Sequence, residues 1–282
     1  MADVILAVLG RRDTAHAVLD AAQCLAGLIG RASIIVLAVD TPLPAKSLAA
    51  EALMAEMRDV ELVRKRDRRR IASLKTTFDG WAAGARQAGI IVQWAEVEGA
   101  ESVIVEERGR RADFIVIARP TPDDDTATRH EFQAALFHTE RPVLVVPGAR
   151  RAPVVPGDKA ARFGRCVGIA WRDESRTAKA LIPALRLLGA AGQVHLLAGV
   201  RKGVAVPGVP AVLQDHGISA SLHVLRIGEG PFGQALLEKL HELGGDMLVM
   251  GAYVHGRLRD AIFGGVTRYM CDHADVPVLM RY

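Results

Sequence analysis

The residues of this chain with the clearest chemical use lie near its C-terminus. Met247 to Met250 is a short apolar run that ends at Gly251. A turn-rich segment through His255 and Gly256 follows, and Gly264-Gly265-Val266-Thr267 then opens a helical pattern. Glycine lets backbone N–H groups approach an anion with no Cβ in the way, and the start of a helix adds a favourable dipole. Strand, glycine turn and glycines at a helix start together form a phosphate-binding layout. The spacing fits neither the P-loop nor the dinucleotide fingerprint.

Other chemistries find less support. The three cysteines, Cys24, Cys166 and Cys271, show no CxxC spacing, which fits a reducing cytoplasm and argues against a disulfide framework or a zinc site. The nine histidines are scattered without metal-helix spacing, so no metal is expected. No Gly-x-Ser-x-Gly elbow occurs, and no residue is assigned a catalytic role. The formal net charge of +4 is modest for 282 residues. The dense run Arg64 to Arg70 has Asp59, Glu61 and Asp67 beside it and no interleaved aromatic residue. It reads as a solvated helix face, with no nucleic-acid partner expected. No signal peptide and no apolar run long enough for a membrane span are expected.

The elements that must position the glycine loop alternate along the chain. Val4–Leu9, Ser33–Val39, Ile90–Val97, Asp113–Ala118 and Pro142–Val146 read as strands. Helical patterns lie between them: one that Asp13 or Thr14 can cap, a long one from Leu53 to Ala88 with a break near Gly80, one over 100–110 and one over 128–139. Residues 149–163 read as a linker. The same order then restarts with strands at Cys166–Trp171, Gln193–Val200, Ser219–Ile227, Met247–Met250 and Pro277–Met280. The two ends agree closely, Arg141-Pro-Val-Leu-Val-Val against Val276-Pro-Val-Leu-Met. The chain is two copies of one unit, 1–148 and 164–282. Alternating strands and helices imply parallel sheets with right-handed crossovers, and ligands on such sheets sit beyond the strand C-termini.

The C-terminal run resembles the universal stress protein family. That family's loop reads Gly-x-x-Gly, nine residues, then Gly-Ser/Thr; here Gly251 and Gly264 hold the first and last glycines, while Val254 and Gly265 replace the other two residues. The resemblance implies an α/β fold of two tandem five-stranded domains with strand order 3-2-1-4-5, of the Rossmann-like, adenine nucleotide α-hydrolase-like kind. It implies a crevice between the first and fourth strands. In the second copy that crevice would be lined by Ala170, Trp171, Arg172, Val200, Gly251, His255, Gly264, Gly265, Val266 and Thr267, and would hold ATP with Mg²⁺. Arg172 and Thr267 are candidates for phosphate, and Trp171 either stacks on a base or packs at the strand end. The equivalent loop of the first copy, Arg119 to His130, has no glycine and carries Asp123 to Asp125, so that copy is expected to be scaffold and its aspartates solvated. The resemblance further implies pairing of the two copies through their fifth strands, a homodimer and a regulatory protein partner. The alternative is a nucleotide-free dimerisation and interaction module.

Overall fold

A computed structural model of the chain describes residues 2–41, 50–121, 124, 126–148, 163–172, 175–228, 230–252, 254–255, 262–263 and 265–282; the side chains of 50–60, 63, 127, 175–176, 254–255 and 262–263 are not described. The expected linker lies almost wholly outside the described residues.

In the first half the order is β1 (Asp3–Val8), α1 (Ala15–Ile29), β2 (Ala32–Asp40), α2 (Ala50–Gln87), β3 (Ile91–Glu98), α3 (Glu101–Gly109), β4 (Phe114–Ala118), α4 (Thr126–Gln133) and β5 (Val143–Val146). The second half runs β6 (Cys166–Trp171), α5 (Ser175–Gly189), β7 (Gln193–Val200), α6 (Ala211–Asp215), β8 (Ser221–Arg226), α7 (Phe232–Glu242), β9 (Met247–Gly251), β10 (Val254–His255), β11 (Ile262–Phe263), α8 (Gly265–His273) and β12 (Val278–Arg281).

Ten strands form one sheet in the order β3-β2-β1-β4-β5-β12-β9-β6-β7-β8. Each half is thus a parallel 3-2-1-4-5 sheet. The two meet at β5 and β12, which pair antiparallel with Val143 opposite Met280 and Val145 opposite Val278. The central strands are apolar on both faces because helices cover both. One core cluster joins β-strand residues such as Ile5, Val116 and Val249 to α1, α2 and α5; the other joins Leu6, Ile117 and Leu248 to α4, α7 and α8. The repeat is visible atom by atom. Asp113 N donates to Val4 O at 2.8 Å, and Asp246 N donates to Cys166 O at 2.9 Å. The Asp113 carboxylate takes Val4 N, and the Asp246 carboxylate takes Gly164 N at 2.8 Å and Arg165 N at 3.1 Å.

Several local expectations change. α2 runs through Gly80 without a break. Its core line, Ile71, Leu74, Phe78, Ala82 and Ala85, keeps helical spacing across that position, and Phe78 packs on Trp81 and Trp94. The helix expected over 128–139 starts at Thr126 and widens to a π turn over Ala134–His138. At the start of α1, Thr14 makes no side-chain cap hydrogen bond, and Asp13 pairs with Arg11 instead. α1 ends at Gly30, whose φ of 92° favours glycine, with Gly30 N on Ala26 O. The five-residue helix α6 and the β10–β11 pair went unread, because both are too short for a periodic signal.

No disulfide links the cysteines, and burial pushes the Cys271 thiol up to about 12. Among the described residues no helix is long and apolar enough to cross a membrane.

Near the outer edge of the second half, His195 Nδ1 on β7 and His223 Nε2 on β8 lie 3.1 Å apart, and His195 Nε2 is buried without a hydrogen-bond partner. Burial lowers the pKa of His223 from 6.5, and His195 and Lys239 of α7 add to the effect. The unfolded chain therefore takes up this proton before the folded one does. Stability present at pH 8 is expected to fall as the pH drops through the ordinary histidine value of 6.5. Urea unfolding of the wild type and His223→Gln across that range checks this, and the variant should lose part of the acid-side slope.

Candidate functional site

In the second half, neighbouring strands β6 and β9 are where the strand order reverses, so the crevice of a doubly wound sheet opens at their C-terminal ends. Ala170 and Trp171 close β6, and exposed Arg172 follows. Val200 ends β7, half-buried, and accepts a hydrogen bond from Ile227 N at 3.0 Å. Gly251 ends β9, buried, and the next residue ties the backbone to β12 through Ala252 N on Arg281 O at 2.8 Å.

Between β9 and α8 the structure describes residues 252, 254–255 and 262–263. The last two stretches pair as the antiparallel strands β10 and β11, with Val254 opposite Phe263 and His255 opposite Ile262. Gly264 and the side chain of His255 lie outside the description. Gly265 is exposed in the first turn of α8, and a Cβ built on it meets nothing within 4 Å. That turn holds no acidic side chain. Val266 packs half-buried against the core. Thr267 is 0% exposed and its polar group already has a partner, so it faces inward.

Trp171 is a packed residue. It is 4% exposed, and its indole Nε1–H donates to Gly208 O at 3.0 Å. The loop over 201–210 is therefore strapped across the end of β6. Sequence reasoning missed Gly208; Pro207 and Pro210 around it were the available signal for a fixed loop. It also missed Arg281, whose Nη1 donates to Lys179 O at 3.2 Å while its Nε is buried without a partner.

The corresponding crevice of the first half is filled by the protein itself. A cavity of about 10 Å³, room for one water, remains between Gly10, Arg11, Thr14, Arg119, Thr128 and Glu131. Arg11 Nη1 donates to Asp124 Oδ2 at 2.5 Å, and its Nε and Nη2 reach Asp13 at 3.1 and 2.8 Å. Asp124 also accepts Thr121 N at 2.6 Å. Burial works against the Arg11 charge, but the hydrogen bonds it donates to Asp13 and Asp124 outweigh it and raise the pKa further. Asp124 is thus not the solvated loop aspartate expected; its side chain is 9% exposed. Asp123 and Asp125 lie outside the description. Glu131 is 4% exposed, and a Cβ at Gly10 would stand 2.7 Å from its Oε2. Two carboxylates therefore occupy the space where an anion would have to enter. Arg119, on the same rim, donates to Ala274 O of the second half at 2.7 Å.

Among the described residues no three His, Cys, Asp or Glu side chains gather as a metal site.

The comparisons with known proteins agree with this architecture. Residues 208–280 match the model of the universal stress protein family. A universal stress protein from Archaeoglobus fulgidus DSM 4304 has 16% identity, with 100% of this chain and 98% of that one covered at a TM-score of 0.66. A functionally unknown protein from Pseudomonas aeruginosa PAO1 has 14% identity over 99% of this chain and 92% of that one, TM-score 0.58. A provisionally assigned universal stress protein from Pseudomonas aeruginosa UCBPP-PA14 has 15% identity over 99% and 93%, TM-score 0.57. A shorter match is a universal stress protein in complex with cAMP, at 18% identity over 51% of this chain and 96% of that one, TM-score 0.35; the nucleotide is that protein's. No curated protein matches the chain in sequence. The chain is thus an α/β protein with the doubly wound sheet of these structures. Residues 208–280 carry the match to the universal stress protein family, and the whole chain has the fold of the Archaeoglobus fulgidus protein.

Removing Arg11 would leave Asp124 mostly buried, with Thr121 N its only hydrogen-bond partner among the described residues. Arg11→Leu is expected to cost about 2–3 kcal/mol in urea unfolding, and Arg11→Leu/Asp124→Leu to recover at least half of that loss. Strict additivity of the two substitutions would show that the pair is not coupled.

Proposed function

We propose that this chain is a cytoplasmic nucleotide sensor of the universal stress type. Its second half binds ATP or a similar adenine nucleotide with Mg²⁺, and its first half is scaffold. The observation that carries this reading is the contrast between the two crevices. In the first half, Asp124 and Glu131 fill the space beside the strand ends. In the second, α8 begins on exposed Gly265, and its first turn holds no acidic side chain of its own. A helix start of this kind stabilises phosphate through its backbone N–H groups and dipole.

The fit is better at the phosphate end than at the base. Trp171 is committed to Gly208, and Thr267 is turned inward, so neither is free to hold the ligand. Arg172, exposed but with an interaction of its own, is the side-chain candidate for phosphate, and the half-buried Ala170 and Val200 are apolar surface for a base. Assembly into a homodimer and docking of a regulatory protein belong to the same reading. The second reading, a nucleotide-free interaction module, draws on the same two residues: a strapped Trp171 and a buried Thr267 are what a closed crevice requires.

Isothermal titration with ATP and Mg²⁺ separates the two. One site per chain is expected. Gly265→Asp has room for its side chain and adds a favourable charge to the helix start, so the fold should survive with an unchanged or higher Tm. The same carboxylate repels phosphate, so affinity should drop at least tenfold. No heat at millimolar ATP would favour the nucleotide-free module. Binding left intact in Gly265→Asp would move the ligand away from α8.

A further inference from the structure

The densest positive charge of the chain lies on α2, outside both crevices. Residues 61–70 hold six cations and two acids, a net +4 that equals the formal excess of the entire 282-residue chain. The rest of the protein is therefore neutral overall, and its positive field comes from one stretch of α2.

That stretch stands outside the body of the fold. Arg70 marks the boundary. Its Nη2 donates to Val39 O at 2.6 Å and its Nη1 to Gly10 O at 3.1 Å, which places it level with the C-terminal ends of β2 and β1. Among the described side chains of α2, the buried ones all come after it, from Ile71 onward. The twenty residues before it extend the helix about 30 Å beyond the strand ends.

The sequence places Asp59, Glu61 and Asp67 beside these cations and reads as a solvated helix face; the side chain of Asp59 lies outside the description. Asp67 is committed to Arg70 at 2.6 Å and to Thr41 N at 3.3 Å. Among the described residues, Arg64, Lys65, Arg66, Arg68 and Arg69 are exposed and make no ion pair. At about 100° per residue, Lys65 and Arg69 lie on the side away from Leu74 and Phe78, Arg68 flanks them, and Arg64 continues the line of Ile71 and Phe78 beyond the core, so the cations surround the helix. Like charges one turn apart weaken an isolated helix, so nothing local accounts for them. Four of the five are arginines, charged at any working pH, whose planar fork suits phosphate oxygens.

We propose that this exposed basic stretch of α2 docks on the phosphate backbone of a nucleic-acid duplex, without reading its sequence. A duplex fits better than a single strand, because residues 61–70 include no aromatic side chain on which bases could stack. It fits better than a membrane surface as well. An interfacial helix needs an apolar face to bury. Here the apolar line from Ile71 is spent on the core, and among the described side chains of 61–70 Leu62 alone is an exposed large hydrophobic residue. The proposal is independent of the nucleotide site.

The test is fluorescence anisotropy of a labelled random-sequence DNA duplex with the full chain. Binding is expected on the order of micromolar at about 50 mM salt, with a log–log salt slope of about −3 to −4 for four contacts. Arg64→Gln/Lys65→Gln/Arg68→Gln/Arg69→Gln should weaken it at least tenfold and flatten the slope, with no change in Tm. A control removes the same charge elsewhere, Arg31→Gln/Arg201→Gln/Lys202→Gln/Arg226→Gln, and should keep most of the affinity. Equal loss in both variants would reduce the effect to net charge and overturn the proposal. So would no duplex binding by the wild type at about 50 mM salt, or capture by phosphatidylserine vesicles in place of the duplex.

Discussion

The antiparallel pairing of β5 with β12 is the constraint on which the rest of the structure depends. Val143 to Val146 and Val278 to Met280 are at most 4% exposed. A half alone would end on a strand with apolar side chains and a row of unpaired backbone groups, an edge that natural sheets do not leave open. Pairing the two covers both edges at once and turns two five-stranded sheets into one of ten. The layers above and below follow from it. Both core clusters run across the seam, α1 meets α5 on one face with Arg186 paired to Asp3, and Phe137 meets Tyr282 edge-on.

The same pairing sets the two halves head to tail. Strand C-termini, and with them the crevices, fall on opposite edges of the sheet. The basic end of α2 shares its edge with the carboxylate-filled crevice of the first half. The first turn of α8 lies on the other edge. Arg119 links the two systems, because the rim of the first crevice adjoins the end of α8 at Ala274. A duplicated unit has thus been put to unequal use. The first copy fixes its crevice with an internal ion pair, and the second begins α8 on exposed Gly265.

How much of this the sequence carried depends on whether a feature is periodic. The strands and most helices were legible because Ile5, Val116, Val145 or Val249 sit in apolar runs that only a sheet covered on both faces explains. The strand order came with the family resemblance. The candidate site was legible only as a set of positions. Gly251, Gly265, Ala170 and Val200 do gather at strand or helix ends, but composition does not say which way Trp171 or Thr267 turns. Trp171 turns inward because Gly208, thirty-seven residues later, offers its carbonyl. Asp124 was read as solvated because its partner Arg11 lies 113 positions away. Such contacts are set by tertiary packing, which no local pattern encodes.

The sharpest difference between the copies is the crossover after the second strand. In the first half it is α2, of 38 residues; in the second it is a loop and α6, of five. The consequences differ in kind. A long helix carries side chains beyond the sheet, where Arg70 alone ties them to strand carbonyls and the rest of the basic stretch reaches solvent. A short crossover keeps the chain close to the sheet and lays 201–210 across Trp171. One copy therefore gained a surface at the position where the other gained a cover. Because the ten-stranded sheet holds both crossovers at fixed, opposite places, neither change disturbs the other.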